Sequence, residues 1–304
     1  MVARQAFGEQ RQAGIFAQGL LDPLSWLRVQ AAARLDYWHN LGGVRHEVPA
    51  TGEPRDVDLP DRTDVAISPR LGVLAQAVPG LALRAAAYRS FRAPTLNELY
   101  RPFQAGPVRT DANPSLGPET LLGAEAGFDT RWLRVTFFLA KLEDPIVNAT
   151  VGPNLQQRQN LGSARVRGVE VQAFWTPFPV LRLSLGWTFT DARLTSGDLA
   201  GRLLPQDPRH RIAAAVSFAD PRWVSVDLGF RWMSDQFEDD RNQLRLPGFA
   251  VVDVQVARQF APGWELFVAA ENLLDRRYLV GLQGGVATIG QPLFLRTGLR
   301  ARFF

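Results

Sequence analysis

Apolar and polar residues alternate along this chain in segments of about 10 to 14 residues, each closed by a turn, from about Arg11 to Phe304. Between Arg222 and Met233, Val224, Val226, Leu228, Phe230 and Trp232 share one face, and Trp223, Ser225, Asp227, Gly229 and Arg231 share the other. Successive strand side chains point to opposite faces, so such a strand is greasy on one side and polar on the other. The same period sets Leu181, Leu183, Leu185, Trp187 and Phe189 against Arg182, Ser184, Gly186, Thr188 and Thr190. It also sets Leu133, Val135, Phe137 and Leu139 against Trp132, Arg134 and Thr136, and Leu27, Val29, Ala31, Ala33, Leu35 and Tyr37 against Arg28, Gln30, Arg34 and Asp36. A soluble sandwich alternates too. A dozen segments well beyond the usual strand of about 5–6 residues fit it poorly. A tilted strand of about 9–11 residues is what a bilayer requires.

The connections sort by length. Short ones fall at Asp22–Ser25, Val78–Gly80, Asp129–Thr130, Thr176–Pro179, Asp220–Pro221 and Ala261–Gly263. Long ones lie at about 39–63, 93–117, 147–154, 194–207, 236–247 and 276–290. Short turns on one side and long loops on the other are the asymmetry of an outer-membrane barrel. Trp26, Trp132, Trp175, Trp223 and Trp264 lie near the short turns, and Trp38, Trp187 and Trp232 toward the opposite ends. That is the distribution expected of two aromatic girdles, although Trp26, Trp132 and Trp223 are out of phase with their greasy faces. The expected fold is therefore all-β: an antiparallel up-and-down transmembrane β-barrel.

Thirteen strands are expected, at about 10–21, 25–38, 64–77, 80–92, 118–128, 131–146, 155–175, 180–193, 208–219, 222–235, 248–260, 263–275 and 291–304. The first and thirteenth run in the same sense. Closure of an antiparallel sheet needs neighbours of opposite sense, and single-chain bacterial barrels are even-numbered. The chain is thus expected to be the C-terminal part of a larger barrel. Met1 to Leu20 holds no basic start followed by an apolar stretch, so no signal peptide is read there. No apolar run approaches the roughly 18 residues of a membrane helix.

Composition adds little more. There is no cysteine, which removes disulfide and thiol chemistry. Lys141 is the single lysine among 34 basic residues, and the arginines are scattered rather than clustered in a basic run. No nucleic-acid partner is expected from that pattern, while a pI of about 10.0 suits anionic ligands or lipid phosphate.

Five strings occur in order: FRAPTLNELY at 91–100, NPSLGPET at 113–120, NLGSARVRGVEV at 160–171, GRLLPQDPRHR at 201–211 and AAENLLDRRY at 269–278. They resemble the successive landmarks of the C-terminal barrel of TonB-dependent outer-membrane receptors. The resemblance covers 1–304, most strongly from about Ser68 onward. It implies a barrel of about 22 strands around a plug, of which these are the last 13 or so. The signal peptide, plug, TonB box and roughly nine strands would then lie outside the chain. The landmark residues are Arg92, Pro94, Glu98, Gly168, Glu170, His210, Asn272 and Asp275. At the C-terminus, Leu295, Thr297, Leu299, Ala301 and Phe303 hold the alternation, so Phe303 is expected to face lipid. Arg296, Arg300 and Arg302 would then face the lumen. The resemblance also implies recognition of such a strand by the barrel assembly machinery.

No catalytic constellation is present, so no enzyme is expected. His39, His46 and His210 lack the spacing of a metal site, and Glu238, Asp239 and Asp240 read as a solvated acidic loop tip before a calcium site. No cofactor is expected beyond a transported ligand. The resemblance implies energised uptake, driven by TonB, of a scarce nutrient such as a ferric siderophore or cobalamin. Aromatic and basic loop residues suit a planar anionic chelate: Tyr100, Arg101, Phe103, Gln104, Arg109, Arg158, Asn242 and Arg245. Outer-membrane lipid and lipopolysaccharide are the expected surroundings. The competing readings are a passive closed porin of about 12 or 14 strands, a truncated receptor that does not transport, and a soluble β-sandwich enzyme.

Overall fold

A computed structural model describes residues 3–48, 53–220, 222–283 and 285–302. Thirteen wall strands follow one another by antiparallel pairing in strict chain order. They are β1 (Ala3–Leu24), β2 (Leu27–Val48), β3 (Arg62–Val78), β4 (Leu81–Arg92), β5 (Glu119–Thr130), β6 (Leu133–Glu143) and β7 (Ser163–Phe178). The rest are β8 (Leu181–Leu194), β9 (His210–Ala219), β10 (Ser225–Met233), β11 (Phe249–Ala261), β12 (Trp264–Glu271) and β13 (Phe294–Ala301). A short strand, Arg55–Leu59, adds to the upper part of β2 and makes the sheet 14-stranded.

Register places the apolar stripes on one continuous face. Ile15 faces Leu35, which faces Ile67; Val216 and Val254 flank Leu228; Val256 faces Val268, and Leu266 faces Leu299. Directly opposed residues share a face of the sheet. Ile67, Phe137, Val268 and Leu299 are all more than half exposed on it. In water, so wide an apolar surface would drive aggregation; against lipid it is the stable arrangement. The opposite face carries ion pairs: Arg84 and Arg134 on Asp129, Arg231 on Asp253, Arg296 on Glu271 and Arg300 on Glu265. Arg296 and Arg300 thus lie on the inner side, as their phase predicts, whereas Phe303 lies outside the described residues.

Among the described residues no ladder joins β1 to β13; β1 runs toward the short turn at 25–26 and β13 runs away from the long connection at 272–293, so the two point the same way. Among the described residues the wall is an open sheet with edges at β1 and β13. The ladder between β3 and β4 stops at Arg70 opposite Tyr88, beside Pro69, which has no N–H to donate.

In the wall, the structure departs from the sequence pattern at three places. β1 and β2 each run 22 residues, about 70 Å at roughly 3.3 Å per residue. The region read as a loop from 39 is therefore mostly strand rising beyond the bilayer, and it carries His39 and His46. The strand expected at 155–175 is two elements. Gly162 turns the chain at φ +48°, so Leu155–Asn160 leaves the wall and β7 begins at Ser163. Trp38 is not part of an aromatic girdle: it is 2% exposed and stacks on Phe91, with ring centroids 4.9 Å apart.

Candidate functional site: the interlocked loops above the wall

The long loops form a structured cap. Phe103–Ala105, Val108–Asp111, Leu155–Asn160 and Ile146–Gly152 build a four-stranded sheet, with one parallel pairing between Leu155–Asn160 and Val108–Asp111. A short helix, α1 (Leu96–Tyr100), starts at Thr95. Thr95 Oγ1 accepts from the Glu98 N–H and the Glu98 carboxylate accepts from the Thr95 N–H, so two otherwise orphan donors are satisfied.

Three of the landmark strings meet here. The Arg92 guanidinium pairs with Glu98 at 2.8 Å and with Glu119 at 2.6 Å. Glu119 also accepts the Ile146 N–H. Asn113 Nδ2 donates to the Arg158 carbonyl at 2.9 Å. The Asn160 amide exchanges bonds with Gly117, accepting from its N–H at 2.8 Å and donating to its carbonyl at 3.1 Å. Leu99, Tyr100 and Leu116 form a small buried core, joined by Ala6, Leu59, Leu96 and Ile146.

The eight proposed ligand contacts separate by what they already touch. Tyr100 is 3% exposed and packs where Gly8 and Gly43 leave room; a Cβ at Gly8 would lie 2.7 Å from its ring. Burial, then the charge of Asp61, pushes its phenol pKa up. Arg158 donates to the carbonyls of Asn97 and Arg101 and lies 5.1 Å from the Phe103 ring centre. Burial lowers its pKa, and the Glu98 charge opposes that. Asn242, at φ +56°, holds the Leu203 N–H and carbonyl at 2.7 and 2.9 Å. Arg109 pairs with Asp111 and Arg245 with Asp235. Arg101, Phe103, Gln104 and Arg245 are exposed. Phe103 comes together with Arg158 and Arg101; Asn242 and Arg245 sit apart, in the loop of 234–248.

Glu98 is half-shielded. Burial raises its pKa, but hydrogen bonds from Arg92 and from the N–H and hydroxyl of Thr95, with the charge of Arg92, outweigh this and hold it below the usual carboxylate value.

A cavity of about 570 Å³ lies between the loop sheet and the loops at 204–206 and 238–244. Phe103, Glu119, Asn148, Glu238, Asp239 and Asp240 line it. Its carboxylates are engaged. Asp240 accepts from the Thr150 N–H and hydroxyl, Asp239 from the Gln243 and Leu244 N–H groups, and Glu238 from Gln206 and the Leu282 N–H. Asp240 and Glu238 thus clamp this loop to its neighbours and Asp239 ties the loop to itself, contacts that the solvated-tip reading missed. The signal was present in Asp239 and Asp240 beside Asn242, residues whose side chains bind nearby backbone. No group of metal-binding side chains occurs among the described residues.

The remaining landmarks are structural. A Cβ on Gly168 would lie 2.0 Å from the Phe189 carbonyl. Glu170 accepts from Gln172 on the inner face. The Pro94 carbonyl accepts from Gln10 at 3.1 Å. Asn272 and Asp275 adopt φ +48° and +46°; Asn272 binds both backbone groups of Arg276, and Asp275 accepts the Leu293 N–H. His210 stacks with Trp187 on the outer face.

Comparison with known proteins agrees with this architecture. Residues 3–273 match the family described as TonB dependent receptor-like, beta-barrel. The metal-pseudopaline receptor CntO of Pseudomonas aeruginosa is 28% identical over 262 residues, covering 79% of this chain and 35% of that protein. The vitamin B12 transporter BtuB of Vibrio vulnificus is 25% identical over 203 residues, covering 64% of this chain and 30% of its own length. The ferric yersiniabactin uptake receptor FyuA of Yersinia pestis superposes with a TM-score of 0.81 at 17% identity, over 100% of this chain and 47% of that one. The copper transporter OprC superposes with a TM-score of 0.79 at 16% identity, over 97% and 48%. The chain spans about a third of the length of the curated relatives and about half that of the superposed receptors. With its greasy outer wall, ion-paired inner wall and landmark strings meeting under one loop cap, the chain belongs to the TonB-dependent receptor β-barrel family of the Gram-negative outer membrane.

Proposed function

We propose that residues 1–304 are the C-terminal portion of the barrel of an outer-membrane receptor for a scarce nutrient, and that its loop cap contributes to capture of a metal chelate or a cobalamin-class ligand. The observation that carries this is the cap itself. The long loops are clamped to one another around a cavity of about 570 Å³ at the mouth of a wall whose inner face is charged. Rigid loops keep the ordering cost of binding low. Relatives named for metal-pseudopaline, vitamin B12 and ferric yersiniabactin point to the ligand class. Arg101, Phe103, Gln104, Arg109 and Arg245 are the contacts proposed from the cap, with Tyr100, Arg158 and Asn242 supporting them. Energy would come from TonB acting on a plug outside these residues. Lipopolysaccharide would surround the wall, and the barrel assembly machinery would insert it. Nothing in the reading calls for catalysis.

The two free edges favour a second statement: residues 1–304 alone do not transport. Cells starved for iron, expressing the complete reading frame that contains these residues, are tested for uptake of labelled ferric siderophores, metal–metallophore complexes and cobalamin. Uptake of one class that disappears without TonB is the expected result. Uptake unchanged without TonB, or equal passage of unrelated small solutes, contradicts the receptor reading and favours a porin.

A further inference from the structure

The cavity in the loop cap is a cleft between two sets of loops. On one side stands the four-stranded loop sheet, which brings Phe103, Val108 and Ile146 to the lining. On the other stand the loops at 204–206 and 238–244, with Leu282. Thr150 ties the two sides together. Its N–H and hydroxyl donate to Asp240 at 3.2 and 3.0 Å, and its carbonyl accepts from the Arg241 guanidinium at 3.0 Å. A volume of about 570 Å³ falls within the usual range for a small-molecule site, roughly 300–1,000 Å³.

The charge of this cleft is one-sided. Glu119, Glu238, Asp239 and Asp240 line it, and no arginine, lysine or histidine does. Arg92 balances Glu119. Among the described residues the other three carboxylates accept from neutral donors, and none of them has an ion pair. Glu238 accepts from Gln206 and the Leu282 N–H, Asp239 from the Gln243 and Leu244 N–H groups, and Asp240 from Thr150. Asp240 is 4% exposed. A carboxylate shut away from water without a cation is costly, so this side of the cleft is short of positive charge. The arginines nearby are committed elsewhere: Arg109 to Asp111, Arg158 to the carbonyls of Asn97 and Arg101, and Arg241 to Thr150. Leu142, Ile146 and Leu204 give the rest of the lining an apolar character.

We propose that the cavity admits the positively charged, amine-bearing end of a metal complex and turns anionic complexes away. The proposal rests on the receptor reading of the cap and names the ligand class of that same site. A cleft lined by one sign of charge, with apolar walls, focuses its field and concentrates the opposite ion. An ammonium group supplies the counter-charge that Glu238 and Asp240 lack, and its three N–H donors form charge-assisted hydrogen bonds to carboxylate oxygens. The methylenes of an amine arm pack on the apolar side. An anionic complex instead meets three uncompensated carboxylates, and like charges brought together select against the wrong partner. The exposed arginines of the loops suit an anion, but none of them lines the cavity. The carboxylates therefore set the charge of what enters.

The test uses iron-starved cells that lack their own siderophore receptors and express the complete reading frame containing these residues. They are offered three forms of one labelled ferric trihydroxamate: ferrioxamine B with its free ammonium arm, its N-acetyl form, neutral at that arm, and its N-succinyl form, anionic there. Ferric citrate is a second anionic probe. Uptake is read with and without TonB. The expected result is TonB-dependent uptake of the ammonium form at least tenfold above the succinyl form and ferric citrate, with the acetyl form between. Glu238→Gln with Asp240→Asn removes two charges and keeps oxygen acceptors, and it should narrow that ratio to threefold or less; Glu238→Gln alone should narrow it by a smaller factor. Asp198→Asn, exposed in the loop of 195–200 and outside the cavity lining, should leave the ratio within twofold. The comparison among complexes in the unaltered protein stands even if a variant fails to reach the outer membrane. Equal uptake of the three forms, preference for an anionic complex, or an unchanged ratio in a double variant present at normal level overturns the charge filter and leaves the receptor reading intact. TonB-dependent uptake of cobalamin or another complex, with none of these four, also overturns the filter alone. Absence of any TonB-dependent uptake overturns the receptor reading with it.

Discussion

At the residue scale, side chains read as ligand contacts also hold the loops together. Arg158 saturates the carbonyls of Asn97 and Arg101 at the end of α1. Its replacement by alanine strips those acceptors, at a cost of about 1–3 kcal/mol. Hydrogen exchange across 93–118 should rise in that variant, while β9 to β11 stay protected; unchanged exchange contradicts the clamp. Gly168 is a harder constraint, because any Cβ meets the Phe189 carbonyl. Gly168→Val should abolish folded protein in outer membranes, and normal yield would show that the wall shifts to accept it. Glu98 gives the cap a pH signature. Its pKa is depressed in the folded state below 4.5, so its contribution is complete above the unfolded value and fades as pH falls through the lower, folded one. Proteolysis within 93–118 should therefore accelerate below about pH 4.5, and Glu98→Gln should flatten that dependence.

At the scale of elements, alternation made the wall legible and left the cap obscure. Period two identifies a strand and its faces wherever one side meets lipid, so β4 to β6 and β8 to β13 were readable within a few residues. Leu155–Asn160, LQQRQN, was absorbed into the following strand because both are extended and only Gly162 separates them. The parallel pairing of Leu155–Asn160 with Val108–Asp111 joins segments more than 40 residues apart, and no local pattern announces it. The strings at 91–100, 113–120 and 160–171 were recognised as separate landmarks; that Arg92, Glu98, Glu119, Asn113 and Asn160 form one junction became visible only in three dimensions. The short α1 depends on its cap, so Thr95→Ala should cost about 1 kcal/mol. Arg92 to Glu98 spacing should loosen, which a spin-label pair across 92–98 would detect as a broadened distance distribution; an unbroadened distribution would show the cap dispensable.

At the scale of the molecule, the distribution of polarity defines the protein. The apolar stripes of the wall lie outside, the ion pairs on Asp129, Asp253, Glu265 and Glu271 lie inside, and the described buried core of the loops is small. That inversion removes the soluble-sandwich reading, and a sheet whose first and last strands point the same way does not close into a small porin by itself. The most direct test is a single-cysteine scan of 224–233, made simple because the chain contains no cysteine, with one further cysteine at Gln104. In outer membranes, probes at Val224, Val226, Leu228, Phe230 and Trp232 should be quenched by lipid-borne quenchers, those at Ser225, Asp227, Gly229 and Arg231 by aqueous ones, and Gln104 should label from outside intact cells. Loss of the two-residue alternation, or a Gln104 site reachable only after the outer membrane is broken, would contradict the barrel and its orientation.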